Sequence, residues 1–256
     1  MDTSAGATPS TATDGAGTNS GDVRAAVAHL TGGGAHLMAA PTVRGLLAAD
    51  REEAWARFRA GWEELAPDPY AAARGSVRQR RYGVFSFTPA TGTLTARPHV
   101  PFVQPSGTNP LHDGEQRAFE PLTGAFVADP VLARLLRLLG TLAQGLDGPP
   151  EWTVHVHPFR VLASAGASGE PTPEGRHQDG VTLVSTLLVD RANATGGQST
   201  VTTPAGTPLL TAVLDEPGTL LVGDDRRTWH EVSALRPEDP ARPARRDVLV
   251  TTFTPA

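Results

Sequence analysis

Cysteine, lysine and isoleucine are absent from the 256 residues of this chain. Without cysteine there is no disulfide, thiolate metal site or thiol nucleophile, so imidazole and carboxylate must do any metal binding. Without lysine there is no Schiff-base or lysine-nucleophile chemistry, and all 22 basic residues are arginine. The missing isoleucine reads as genome base composition rather than mechanism. No block of basic residues occurs and the formal net charge is −5, so a small-molecule partner is expected and nucleic acid is not. The chain shows neither the charged and apolar succession of a secretory signal nor an apolar run long enough to cross a bilayer. A cytoplasmic protein with no membrane partner is therefore expected.

Hydrophobic residues make up 39% of the chain, enough for a core, while 27 Gly and 23 Pro point to many turns rather than a helical bundle. Residues 1–20 are almost all Thr, Ala, Gly, Ser, Asp, Asn and Pro. That composition cannot bury enough apolar surface to offset its ordering, so a disordered tail is expected ahead of a single domain over 21–256. Val23, Val27 and Leu30 recur at helical spacing before Gly32-Gly33-Gly34 interrupts them. Asp50 is placed to cap a helix carrying Trp55, Phe58, Trp62 and Leu65 on one core-facing stripe that ends before Pro67. Asp129-Pro130 opens a second helix, with Leu132, Leu135, Leu136, Leu139 and Leu142 on the face expected to lie across the back of a sheet. Alternating segments at 79–87, 152–160, 181–189, 198–203, 209–213, 219–222, 231–235 and 248–253 read as short strands. The class is mainly β, a sandwich or small barrel.

Arg176-His177-Gln178-Asp179-Gly180 runs into the apolar segment 181–189. If the strand begins there, His177 and Asp179 share a face and can hold one ion between them. His230 lies 51 residues beyond Asp179, after the strand-like 219–222, and two His with one Asp make the facial triad of non-haem Fe(II) oxygenases. A His-x-Asp alone is a weak signal. Arg246 strengthens it, standing at the head of segment 248–253, where its fork suits a carboxylate. His155-Val156-His157 is a rival pair, but the next Glu is Glu170, a poor spacing for a cupin-type site. His157 is a cavity candidate and His155 a core histidine. The loop 98–123 carries Gln104, Asn109 and Arg117, where long irregular segments often shape binding sites.

With these motifs in order, the chain resembles the iron and 2-oxoglutarate dioxygenases related to bacterial L-isoleucine hydroxylase. The likeness rests on 171–180, Gly196-Gly197-Gln198-Ser199, Gly223-Asp224-Asp225-Arg226 leading to His230, and 246–253. It extends to Gln104, Asn109-Pro110, Phe119-Glu120-Pro121-Leu122 and His157-Pro158-Phe159-Arg160. Gln198 departs from it, standing where the family has an acidic residue. The resemblance implies a double-stranded β-helix with flanking N-terminal helices and Fe(II) on His177, Asp179 and His230. It also implies 2-oxoglutarate on Arg246, O2 as co-substrate, and hydroxylation of an unactivated C–H with release of succinate and CO2. Ser199, Thr200 and Thr252 are the hydroxyls expected beside the 2-oxoglutarate, and Thr252 shares a face with Arg246 in an unbroken strand whereas Arg245 does not. The implied substrate is a free L-amino acid or close derivative. Its carboxylate needs a cation, for which Arg160, Arg176, Arg227 and Arg81 are candidates, with His157 and Gln104 as further substrate residues. The alternatives are a cupin-like metal-dependent isomerase or hydrolase on the same triad, and a barrel that only binds.

Overall fold

The computed structural model describes residues 14–73, 75–104, 107–108 and 114–256, with side chains from Ser20 onward. Asn109 and residues 1–13 of the expected tail lie outside the described residues. The amino-terminal part comprises α1 (Asp14–Gly33), β1 (Ala35–Met38), α2 (Ala40–Leu46), α3 (Glu52–Ala60), β2 (Ala66–Pro67) and α4 (Pro69–Ala72). Then come β3 (Arg78–Arg80), β4 (Gly83–Thr88), β5 (Thr93–Ala96), α5 (Gly124–Val127) and α6 (Pro130–Leu146). The rest is β6 (Trp152–Ala163), β7 (Leu183–Ala192), β8 (Ala194–Gly196), β9 (Gln198–Thr202), β10 (Pro208–Val213), β11 (Leu220–Asp224), β12 (Trp229–Val232), β13 (Leu235–Pro237) and β14 (Ala244–Pro255). No described helix is long and apolar enough to cross a membrane.

Helix α1 begins at Asp14, inside the stretch expected to be a tail. Its later turns carry Ala26 and Leu30 into the core, and Val27 packs so closely on α6 that a Cβ at Gly145 would stand 2.6 Å from it. Tertiary contact of this kind sustains a helix that local propensity alone would not. In α3 the expected stripe is present, with Trp55 and Phe58 buried, and Trp62 follows on a 3-10 turn. Asp50 does not cap it; Arg51 holds the N-cap position without a side-chain bond. Asp129 does cap α6, accepting the Val131 N–H at 2.7 Å. Segment 79–87 is two strands, broken where Tyr82 bridges to Pro121.

Every pairing between the strands named above is antiparallel. Among the described residues a nine-stranded sheet runs β1-β11-β7-β14-β6-β3-β2, with β4 also on β6 and β5 on β4, and β10-β9-β12 forms a smaller sheet beside a β8–β13 pair. This is the double-stranded β-helix expected, with helices against it. Alternation along β14 divides the two faces of the large sheet. Leu249 and Phe253 join the leucines of α6 in the main core, while Arg246, Val248, Val250, Thr252 and Thr254 line a cavity. The facing residues of β6 are Thr153, His155, His157, Phe159 and Val161.

Candidate metal centre

The strand read over 181–189 starts at Leu183 and does not extend back to Arg176, so His177 and Asp179 do not alternate along a ladder. His177 instead makes one isolated bridge with His230, each backbone N–H donating to the other's carbonyl at 3.0 and 2.9 Å. The three residues after it turn away at Gly180, whose φ is 75°. Asp225 stands in for the missing ladder. Its buried carboxylate accepts the backbone N–H groups of Asp179 (3.0 Å), Gly180 (2.7 Å) and Val181 (3.0 Å).

That anchoring puts Asp179 Oδ1 4.0 Å from His177 Nε2 and Asp179 Oδ2 3.6 Å from His230 Nε2. The three ligand atoms lie within 4.8 Å of one another, the one such group among the described residues. His177 Nδ1–H donates to the Gly175 carbonyl at 2.9 Å, which leaves its Nε2 lone pair aimed at the shared space. Burial, then the neighbouring His177, push the His230 pKa down to about 4. For His177 burial opposes the charge, but the Asp179 and Glu174 carboxylates hold its pKa above the ordinary value. A cation on the triad therefore competes with a proton on His177. Burial and the adjacent Asp179 raise the Asp225 carboxyl to about 7 despite its three N–H donors. The donor set, one carboxylate and two imidazoles with two Nε2 atoms facing it, fits a divalent first-row metal.

The cavity beside the triad has a volume of about 360 Å³. Arg246 stands at one end of it, 2% exposed, with Nε and Nη2 meeting no acceptor. Burial, then the Arg191 charge, bring its pKa down to about 10. Arg191 reaches the same face because β7 carries a bulge: Leu188 pairs with Val248 and Asp190 with Asp247, so Val189 is skipped and the alternation reverses. The Trp55 indole N–H donates to the Val189 carbonyl there, at 3.3 Å. Sequence reasoning missed Arg191 and quoted Asp225 only within the 223–226 motif, with no role, since neither a bulge nor a side chain bonded to backbone N–H groups leaves a pattern in the chain.

Thr252 lines the cavity on the Arg246 face, as the even spacing requires, and Arg245 points the other way to Asp190. Ser199 is buried opposite Val232 with its hydroxyl unpartnered, but does not line the cavity; Thr200 lies opposite Glu231, on the outer side. His157 and Gln104 are both in the cavity. Gln104 donates to Asp179 Oδ1 at 3.1 Å and accepts from Arg117 at 2.5 Å. His155 lines the cavity too, its Nδ1 bonded to the Tyr82 hydroxyl at 2.8 Å, and burial lowers its pKa. Neither His155 nor His157 belongs to the metal-binding group.

The four arginines expected at a substrate carboxylate are all elsewhere. Arg160 sits on the opposite face of β6, its Nε and Nη2 on the two oxygens of Asp247 at 2.8 Å each and its other contacts on Glu63. Register explains the error: cavity residues of β6 are odd-numbered and Arg160 is even. Arg176 lies over the Trp229 ring and donates to Thr202, away from the cavity. Arg227 pairs with Asp224 and Arg81 donates to backbone carbonyls.

A family model described as 2OG-Fe dioxygenase matches residues 59–252. No curated protein sequence matches. Among solved structures, a BsmA homologue from Methylobium petroleophilum is 35% identical, with 91% of this chain and 96% of that one covered at a TM-score of 0.83. IDO from Bacillus thuringiensis is 16% identical (91% and 94% covered, TM-score 0.73). The Fe(II)/α-ketoglutarate-dependent dioxygenase TqaL is also 16% identical (95% and 90% covered, TM-score 0.74). The last two bear on the fold alone.

Proposed function

Because the chain belongs to the 2OG-Fe dioxygenases, enzymes of Fe(II), 2-oxoglutarate and O2, we propose that it hydroxylates an unactivated C–H bond of a free L-amino acid or close derivative. In this reading His177, Asp179 and His230 hold the iron and Arg246 holds the distal carboxylate of 2-oxoglutarate. The observation that carries it is Arg246, a buried guanidinium whose free N–H groups need an anion, in the cavity that the triad faces. The bound iron and co-substrate supply the oxidising power, with conversion of 2-oxoglutarate to succinate and CO2.

The chain's own part is positioning and exclusion. Arg246 fixes one end of the diacid, with Arg191 adding charge and the Thr252 hydroxyl lying on the same strand face. Val184, Val248 and Val250 line the same cavity and make part of its wall apolar, which disfavours water beside the reacting centre. His177 is held in one tautomer by Gly175, and Asp179 in one place by Asp225 and Gln104. The small cavity and the absence of a basic surface favour a small free substrate over a carrier-bound or polyanionic one. Likeness to the L-isoleucine hydroxylases in the motifs around the triad supports an amino acid.

The test is succinate formation with Fe(II) and 2-oxoglutarate across the free L-amino acids, read together with mass spectrometry for a product heavier by one oxygen. Dependence on all three components is expected. Succinate production that no free amino acid stimulates would count against the substrate class, and none at all against the chemistry.

A further inference from the structure

We propose that Arg80 and Arg117 receive the substrate's α-carboxylate while Glu174 faces its ammonium group, giving the cavity a second anion site distinct from Arg246. The proposal deepens the amino-acid reading above and rests on it.

Arg80 enters the cavity from β3, where it pairs with Phe159 of β6, and Arg246 enters from β14 on the other side of β6. Two strand spacings and an offset of two residues along the strands separate their backbones by roughly 12 Å. The Arg80 guanidinium carbon lies 3.6 Å from the Phe119 ring centroid and 4.3 Å from that of Phe159. Arg117 stands over the same aromatic wall, 5.0 Å from Phe102 and 5.8 Å from Phe119. The rings cover the flat faces of the guanidinium groups and leave N–H edges free. One edge of each is used: Arg80 Nη2 donates to His157 Nδ1 and Arg117 Nη2 to Gln104 Oε1, both at 2.5 Å. The Nε of each is buried without an acceptor.

Among the described residues no carboxylate is within ion-pairing distance of either arginine. Asp68, on the same side, is committed to Arg78 at 2.8 Å and to the N–H groups of Tyr70 and Ala71. Two like charges buried together against aromatic rings, with Asp68 and Glu174 near but not in ion-pair contact, are unfavourable for the empty fold and become favourable once an anion lies between them. Burial accordingly pushes both arginines below their ordinary pKa, Arg80 the further.

Asp179 and Glu174 are the acidic side chains among the described residues that line this cavity. Asp179 belongs to the triad, which leaves Glu174. It lines the same cavity as Arg80 and Arg117, so the cavity wall carries both signs of charge, as an α-amino acid requires. Glu174 Oε1 is also 3.3 Å from His177 Nε2, so a headgroup held there is beside the triad. Gln104 bridges Arg117 to Asp179, and its two bonds fix the amide orientation because one partner only donates and the other only accepts. The neutral His157, accepting from Arg80, presents its Nε2–H as a further donor.

The experiment is calorimetric titration of the Fe(II)- and 2-oxoglutarate-loaded protein under nitrogen with the free L-amino acids, then with the best binder's methyl ester and its des-amino acid. Tight binding of a free amino acid is expected, with loss on the order of 100-fold for the ester and for Arg117→Gln. Glu174→Gln is expected to weaken the amino acid and spare the des-amino acid, and Arg227→Gln, a surface control, to match the wild type. Separate titrations should show 2-oxoglutarate binding lost in Arg246→Ala and kept in Arg117→Gln. An ester that binds as well as its acid, unchanged affinity in Arg117→Gln, or no amino acid bound at all overturns the subsite. Failure of the wild type to bind 2-oxoglutarate strikes the oxygenase reading instead, and amino-acid titration without the co-substrate still decides the subsite.

Discussion

The Asp225 carboxylate grips the backbone of Asp179 rather than any side chain, accepting its N–H at 3.0 Å and those of the next two residues at 2.7 and 3.0 Å. A carboxylate oxygen that accepts three N–H groups where a strand partner would supply carbonyls fixes the direction of the Asp179 side chain. It also lies 3.8 Å from His230 Nδ1. Asp225→Asn replaces one acceptor oxygen with a donor that opposes those N–H groups. Metal affinity is expected to fall by about 10- to 100-fold with the fold retained, as read by Fe(II) or Co(II) titration. Unchanged affinity would show that the turn holds its shape without the carboxylate.

Arg246 and Arg245 are neighbours with opposite fates. Arg246 is buried in the cavity with free N–H groups, and Arg245 bonds Asp190 on the other face. Arg246→Ala is expected to raise the KM for 2-oxoglutarate by at least about 100-fold, and Arg245→Ala to leave it near the wild-type value. The reverse order would mean that the co-substrate enters from the other face of β14.

Arg160 is expected to matter to stability and not to substrate. Its bidentate partner Asp247 is fully buried, so Arg160→Met leaves that carboxylate only the longer contact to Arg245 at 3.5 Å and is expected to cost about 3 kcal/mol in denaturant unfolding. Burial already holds the Asp247 carboxyl above its ordinary pKa even with Arg160 in place. The KM for substrate should not move. A selective rise in KM without loss of stability would return Arg160 to the binding site.

His157 carries a pH dependence whose sign follows from its burial. Desolvation, then the Arg80 charge, hold its pKa well below the ordinary 6.5, so the folded chain keeps it neutral where the unfolded chain takes up a proton. Its share of the stability is complete above about pH 6.5 and is lost as pH falls, by up to about 1.4 kcal/mol per pH unit. Urea unfolding of wild type and His157→Gln between about pH 5 and 7.5 should show a shallower acid loss in the variant. Parallel curves would place the proton uptake on other groups.

Residue types and their order were enough to pick out the three residues that the structure brings together, the inward side of Arg246 and the mainly β class. The chemistry needs those side chains, and even spacing along β14 carried Arg246 and Thr252 to one face without further information. Boundaries at Asp129 and α6 were legible for the same local reason, a cap and a periodic apolar stripe. What depended on partners distant in sequence was not legible. The bulge at Val189 turns Arg191 inward, and the odd register of β6 turns Arg160 outward; the three N–H groups that Asp225 binds lie about 45 residues before it in the chain. Arg78 and Arg80 also reach the cavity, from a three-residue strand that carries no motif, and Arg117 reaches it from the irregular loop that the sequence marked only as a candidate. Only the closing of β3, β6 and β14 into one sheet puts these arginines and Arg246 in the same small volume, because strand pairing joins residues by register and not by their distance along the chain.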